Sequence, residues 1–178
     1  MERGLNVGPA TASQVAELAD VAARTFPLAC PPSVGPDDVA AFIAENLSPE
    51  RFADYLADAG RVVLTAVRDG RILGYAMMIR GVPDDPDVAA AVTVRPSVEL
   101  SKMYVLPESH GGGVSAALMT AALQHATTIG AASVWLGVNQ RNERAQRFYA
   151  KHGFTITGTK TFRLGGHIEQ DYVLVRPA

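Results

Sequence analysis

Apolar residues recur along the chain with two different spacings, and glycine or proline separates the resulting segments. Recurrence at every third or fourth position predicts helices over 15–26, 37–47, 49–59, 113–129 and 142–152. Shorter apolar runs predict strands over 5–7, 61–67, 71–79, 98–105, 133–138, 154–162 and 168–175. Helices and a hairpin come first, and strands then alternate with helices. This order predicts an α+β (mixed α/β) fold, with a mixed, mostly antiparallel sheet of about six or seven strands and helices on both faces.

The composition and net charge of the chain then exclude several classes of protein. The chain has 178 residues, of which 48% are hydrophobic and 19% charged, as expected of one globular domain. Its formal net charge of −2 lacks the basic excess of a typical nucleic-acid binder. Cys30 is the only cysteine, which excludes an internal disulfide and a Cys-cluster zinc site. Because no membrane-length apolar run and no secretory signal are evident, we expect a cytoplasmic protein without nucleic-acid, membrane or metal partners.

A glycine triplet lies between the strand predicted over 98–105 and the helix predicted over 113–129. Gly111, Gly112 and Gly113 would expose backbone N–H groups at the positive end of that helix, where a phosphate can approach closely. The spacing is neither that of a nucleotide P-loop nor that of a dinucleotide fingerprint. A flexible strand-to-helix turn explains the triplet equally well, so both interpretations stay open here.

A second informative segment spans residues 142–154. On a helix beginning near Asn142, this residue and Tyr149 share a face about 10 Å apart, which suits an elongated ligand. Alternatively, Asn142 is only a helix N-cap and Tyr149 only a core aromatic. Basic residues also crowd the segment, and they either attract a phosphate or form a solvated face: Arg141, Arg144, Arg147 and Lys151.

Together the two segments resemble the GNAT superfamily of acyl-CoA-dependent N-acyltransferases. The family's pyrophosphate loop, Arg/Gln-x-x-Gly-x-Gly/Ala, corresponds to residues 110–115, with His110 and Ser115 at its first and last positions. The family's Asn-x-x-Ala-x-x-Phe-Tyr-x-Lys-x-Gly-Phe pattern matches residues 142–154 without a gap. The run 134–138 and the tail 162–171 further resemble PaiA-type polyamine N-acetyltransferases. The resemblance implies that residues 1–178 form a single N-acetyltransferase domain with the GNAT fold.

The same resemblance implies acetyl-CoA as the cosubstrate and assigns its contacts. Strand backbone groups would meet the pantetheine arm, loop amides the pyrophosphate, and the Asn142 side chain would offer an amide. The residues expected at the cosubstrate are Met103, Tyr104, Val105, His110, Gly111, Gly112, Gly113, Val114, Ser115, Ala116, Asn142 and Tyr149.

Two residues are expected to move protons. An alkylammonium with a pKa near 10.4 costs about 4–5 kcal/mol to deprotonate at pH 7. Glu99, on the strand before the glycine loop, is the candidate base by resemblance, acting directly or through water, although it could instead be a paired edge carboxylate. Tyr149 is the candidate acid for the departing thiolate, and positioning coenzyme A is its alternative role.

The expected acceptor is the primary amine of a small molecule, with a polyamine as the leading case. Five acidic residues favour a polycation if they converge on the acceptor cleft, and are otherwise ordinary polar positions: Asp84, Asp85, Asp87, Glu169 and Asp171. An amino acid, an antibiotic amine and a protein N-terminus are alternative acceptors. A non-catalytic acyl-CoA-binding sensor is the alternative from another class, but a sensor needs neither Glu99 nor Tyr149. The resemblance also allows a homodimer.

Overall fold

A computed structural model describes residues 4–178. The strands are β1 (Asn6–Pro9), β2 (Arg61–Arg68), β3 (Arg71–Arg80), β4 (Ser97–Val105), β5 (Ser133–Asn139), β6 (Thr155–Leu164) and β7 (His167–Pro177). The helices are α1 (Val15–Ala29), α2 (Pro36–Asn46), α3 (Pro49–Ala57), α4 (Pro86–Ala91), α5 (Val114–Thr128) and α6 (Glu143–Lys151). Short 3₁₀ turns at Ala12–Gln14 and Pro107–Ser109 precede α1 and the glycine triplet.

The seven strands form one sheet in the order β1-β2-β3-β4-β5-β7-β6. All neighbouring strands are antiparallel except β4 and β5, which are parallel and joined through α5. The expected mixed, mostly antiparallel sheet is therefore confirmed. The order also inserts β7 between β5 and β6, so that β6 is an edge strand.

Helices cover both faces of this sheet. On one face, α5 buries Leu118, Met119 and Ala122, and the partly buried aromatic residues of α6 pack against the same core. On the other face, α1, α2 and α3 surround a second core that contains Leu18 and Phe52. Burial of these apolar side chains is the main favourable contribution to folding. The prediction of helices on both faces is thus confirmed.

One helix was not predicted. The segment around Pro83 and Pro86 was expected to be a loop, but α4 forms there. Its first turn is stabilised because the Asp85 side chain accepts hydrogen bonds from the backbone N–H groups of Asp87 and Val88, and Pro86 occupies the first helical turn. Local capping therefore outweighs the high proline content. Val88 and Ala91 pack this short helix against Trp135 of β5 and Val173 of β7.

The sheet opens between β4 and β5. The two strands pair only over Ser97–Glu99 and Ser133–Trp135, although β4 continues to Val105 and β5 to Asn139. A bulge accompanies the opening, since Met78 opposes Leu100 and Met77 opposes Lys102, which leaves Ser101 as the extra residue of β4. Beyond Glu99, the facing edges of β4 and β5 therefore border a gap.

Candidate active site

A cavity of about 690 Å³ occupies this gap and reaches both faces of the sheet. On the α5–α6 side its wall includes Met103, Val105 and Tyr149, which belong to the first core. On the α1–α2 side its wall includes Tyr104 and Phe42, which belong to the second core. Side chains of a strand point alternately to opposite faces, so β4 contributes to both walls.

The glycine triplet forms a tight connection into α5. Gly111 and Gly113 both have φ of 81°, in the left-handed region that favours glycine. A Cβ at either position would meet nothing within 4 Å, so the loop leaves open space in front of its backbone. Gly113 is the N-cap of α5, so the first N–H groups of that helix have no carbonyl partner within the helix. Such a terminus is suited to hold a phosphate.

The loop residues differ in what they present to the cavity. His110, Gly111 and Ser115 line it, whereas Gly112 and Ala116 are exposed outside the wall. The Val114 side chain is buried in the core below, so only its backbone is available to a ligand.

His110 connects the loop to α6. Its Nε2 lies 3.0 Å from the backbone oxygen of Val105, and its Nδ1 lies 3.2 Å from a guanidinium nitrogen of Arg144. Because the guanidinium can only donate, Nδ1 accepts and Nε2–H donates to Val105. Arg144 is thereby held beside the glycine loop and lines the cavity, while Arg147 and Lys151 are exposed outside it.

Asn142 and Tyr149 both reach the cavity from α6. The Asn142 Oδ1 accepts a hydrogen bond of 3.1 Å from the Ala145 N–H, so this residue is an N-cap, and its amide nitrogen is left for another partner. The Tyr149 ring packs against Phe148 and Phe154, with centroids 5.4 and 5.8 Å away. Asn142 therefore caps the helix and Tyr149 packs in the core, as one alternative predicted, and both residues also line the cavity.

The phenols of the cavity are held protonated. Burial raises the pKa of Tyr149 to about 12. Burial also raises the pKa of Tyr104, with smaller contributions from Tyr149, Cys30 and Asp171. The Tyr104 ring packs 5.8 Å from that of Tyr75, and Tyr104 also lines the cavity. Both hydroxyl groups therefore remain proton donors at neutral pH.

Glu99 and Trp135 form the last residue pair between β4 and β5 before the two strands part. Its side chain is half-buried and lines the cavity. Burial raises the pKa of this carboxyl, while the positive charges of Lys160, Lys102 and Arg61 lower it. Glu99 is therefore a better proton acceptor than an exposed glutamate.

Two lysines of the cavity wall were missed by the sequence reasoning. Lys160 Nζ lies 3.3 Å from Asp171 Oδ2. A Cβ at Gly137 would collide with Lys160 Cε, so the missing side chain of this glycine makes room for the lysine. Lys102 lies beside Phe42, with its Nζ 5.8 Å from the ring centroid. The signal available in the sequence was a lysine within the strand predicted over 98–105, three positions after Glu99.

The five acidic residues considered for the acceptor cleft do not converge. Glu169 and Asp171 are buried, with 8% and 7% exposure, and line the cavity. Asp84, Asp85 and Asp87 lie at the start of α4, outside the cavity wall. For these three residues the alternative of ordinary polar positions therefore holds, because Asp85 caps α4 away from the cavity.

Residues 4–178 contain no cluster of three or more histidine, cysteine, aspartate or glutamate side chains that could hold a metal ion. In the same part of the chain, no helix has both the length and the apolar character needed to span a membrane.

Comparison with known proteins decides the family. The family model described as "Acetyltransferase (GNAT) family" matches residues 18–154. The chain belongs to the GNAT acetyltransferase family. An uncharacterized N-acetyltransferase of Mycobacterium tuberculosis is 61% identical over 160 residues, which cover 90% of this chain and 95% of the relative. A relative of the same description from Mycobacterium bovis has the same identity and coverage.

Solved GNAT structures share the fold at low identity. The PaiA N-acetyltransferase of Thermoplasma acidophilum, in complex with coenzyme A, superimposes with a TM-score of 0.78 at 16% identity, covering 98% of this chain and 99% of that chain. The ribosomal-protein-S18-alanine N-acetyltransferase of Escherichia coli superimposes with a TM-score of 0.68 at 15% identity, with coverage of 98% and 94%. These similarities confirm the GNAT fold, and the family and relatives identify an N-acetyltransferase of the acyltransferase class.

Proposed function

We propose that this GNAT enzyme transfers the acetyl group of acetyl-CoA directly to the primary amine of a small molecule, with Glu99 as general base and Tyr149 as general acid. The observation that carries the proposal is that both side chains line one cavity where β4 and β5 part. Coenzyme A in the PaiA neighbour supports acetyl-CoA as the cosubstrate.

The residues of the α5–α6 side fit the chemistry of that cosubstrate. When bound, acetyl-CoA supplies an activated thioester. The first N–H groups of α5 and the Arg144 guanidinium would hold its pyrophosphate, because both are donors of positive character beside open space. Met103 and Val105 lie on the unpaired edge of β4 beside the gap, and their backbone groups would bind the pantetheine arm.

Two protons must move during the transfer. Glu99 would take a proton from the ammonium of the acceptor, directly or through a water molecule, so that the amine nitrogen forms a bond with the acetyl carbon. Tyr149 would donate its hydroxyl proton to the thiolate that leaves as the carbon–sulfur bond breaks, and the second proton released by the newly bonded nitrogen would return to the Tyr149 oxygen through water. Burial favours both roles, since it raises the pKa of Glu99 and keeps the Tyr149 phenol protonated. The alternative for Tyr149 is that it only positions the cosubstrate.

Among acceptors, a polyamine is the case proposed from the sequence. Glu169 and Asp171 favour it because both are buried acidic residues of the cavity wall. Lys102 and Lys160 oppose it because they place positive charge on the same wall. An amino acid, an antibiotic amine and a protein N-terminus are the alternative acceptors.

The test is free-thiol release from acetyl-CoA with a panel of spermidine, spermine, amino acids, aminoglycosides and short peptides. Turnover of at least one amine, lost in Glu99→Gln and reduced in Tyr149→Phe, is the expected result. Absence of turnover across the panel while coenzyme A still binds would favour the non-catalytic sensor instead. Turnover that is unchanged in both variants would overturn the assigned roles.

A homodimer and a cytoplasmic location are also part of the proposal. The exposed edge strand β6, with Ile156 56% exposed, offers a surface for a second copy. Light scattering coupled to size exclusion would give twice the monomer mass if the dimer forms.

A further inference from the structure

Within residues 4–178, two side chains of opposite charge face the cavity without a hydrogen-bonding or oppositely charged contact. Among residues 4–178, neither Glu99 nor Lys102 makes a hydrogen bond or an ion pair within 4 Å. The Lys102 ammonium lies over the Phe42 ring, with its Nζ 5.8 Å from the ring centroid. Both side chains are half-buried and both line the cavity.

The other charged groups of this wall are already paired. Lys160 Nζ lies 3.3 Å from Asp171 Oδ2. Glu169 accepts hydrogen bonds of 3.3 Å from Ser33 Oγ and 3.5 Å from Asn139 Nδ2. These groups already have protein partners, whereas Glu99 and Lys102 remain available to a ligand.

Leaving two opposite charges unpaired in a cleft is unfavourable. Burial raises the pKa of Glu99 and lowers that of Lys102, which means that the protein disfavours both charged forms. Each group partly offsets the effect on the other, but they are not in contact. A ligand that carries an ammonium and an anion together would pair with both at once.

Their separation suits a small ligand. Glu99 opposes Ile79 and Lys102 opposes Met77, and these two partners are two positions apart on β3. Two positions on a strand correspond to about 7 Å between the Cα atoms. Because both residues lie on the same face of β4, their end groups can reach one small molecule whose amine and carboxylate are attached to the same carbon.

The wall beside Lys102 is aromatic. Phe26 stacks on Phe42 with centroids 4.5 Å apart, and Phe162 meets Phe42 edge-on at 5.9 Å. All three rings line the cavity. Such a surface favours an apolar or aromatic group on the ligand.

We propose that the acceptor is a small zwitterionic amino acid with an apolar or aromatic side chain, its ammonium facing Glu99 and its carboxylate facing Lys102. The inference rests on the proposed acetyl transfer to an amine and narrows its acceptor. A polyamine would instead bring a second ammonium against Lys102, which repels it.

Product binding tests the carboxylate site without any need for turnover. N-acetylphenylalanine, N-acetylleucine and N-acetylglycine are titrated by calorimetry into the protein saturated with coenzyme A, each beside its neutral amide. At least one acid should bind tenfold or more tightly than its amide. Lys102→Met should abolish this preference, Lys102→Arg should retain most of it, and Lys151→Met, on the exposed surface of α6, should leave it unchanged. Equal affinity for every acid and its amide would overturn the inference.

Measurements of thiol release then distinguish the amino-acid acceptor from the broader proposal of acetyl transfer to an amine. Phenylalanine and leucine are compared with 2-phenylethylamine, isoamylamine and spermidine, which lack the carboxylate. We expect kcat/KM to favour the amino acids at least tenfold, and Lys102→Met to raise their KM selectively. Preference for spermidine, or an equal loss with all amines in Lys102→Met, contradicts the amino-acid acceptor but keeps the acetyltransferase. Lack of turnover with every amine counts against the acetyl-transfer proposal, while the binding preference still decides the carboxylate site.

Discussion

Replacement of Glu99 by glutamine should change how the reaction rate depends on pH. At pH 7, an amine with a pKa near 10.4 is free in roughly one molecule in 2,500, and this sets the largest gain that a base can supply by removing its proton. We therefore expect Glu99→Gln to lower kcat/KM by a factor of about 10²–10³ at pH 7, within the usual range for general base catalysis. The defect should shrink about tenfold for each pH unit between pH 7 and 9, because solution then supplies the free amine.

The pH dependence of kcat/KM should have a different shape in the wild-type enzyme, because the Glu99 carboxyl is partly buried. Glu99 must be deprotonated to act, so activity falls as pH decreases through its pKa. Burial raises that pKa, with Lys160, Lys102 and Arg61 partly opposing, so the acid limb should lie above the range of an exposed glutamate. In Glu99→Gln this fall should be absent, and kcat/KM should rise steadily with pH instead.

The assay is initial thiol release from acetyl-CoA between pH 5.5 and 9.5, with the best acceptor of the panel. Glu50→Gln, on the exposed first turn of α3, is the matched control and should keep the wild-type profile. Glu99→Gln should not lower the melting temperature at pH 7, since it removes a carboxylate whose charged form burial disfavours. A loss of equal size at every pH would show that Glu99 does not accept the proton.

Three further variants test the site and the core. Tyr149→Phe should lower kcat by about tenfold or more while the Kd for coenzyme A stays the same; weaker binding with normal turnover would assign it a positioning role. Arg144→Gln should weaken coenzyme A binding about tenfold by calorimetry, through loss of a charge-assisted hydrogen bond, whereas the exposed Arg147→Gln should have no effect. Leu118→Ala, at a fully buried position of α5, should lower the free energy of unfolding by about 2–5 kcal/mol in a urea titration, and a value below 1 kcal/mol would contradict its core position.

Much of the fold follows from local patterns in the sequence. The hairpin between β2 and β3 could be predicted because Asp69 and Gly70 suit its turn, and both have positive φ, 54° and 77°. The helix α5 could be predicted because its buried positions, Leu118 and Ala122 among them, recur at helical spacing. Local signals of this kind do not depend on distant parts of the chain.

The composition of the acceptor wall could not be predicted in the same way. Lys102 reaches it only because the bulge at Ser101 shifts the side chains that follow, and periodicity does not reveal a bulge. Asp171 and Lys160 reach it because β7 pairs with both β5 and β6, which is a property of strand order. By contrast, resemblance named Glu99 and the pattern over 142–154 named Tyr149 as candidates, and both side chains line the cavity.

The short pairing between β4 and β5 gives the cosubstrate a second role besides supplying the acetyl group. Only three residue pairs join these strands, so a ligand that hydrogen-bonds to the free edge of β4 completes the sheet as an additional strand would. Binding to the folded state alone stabilises it by about 2.7 kcal/mol at a ligand concentration one hundred times Kd. We therefore expect the lifetime of this enzyme in the cell, and its resistance to proteolysis, to increase with the supply of acetyl-CoA.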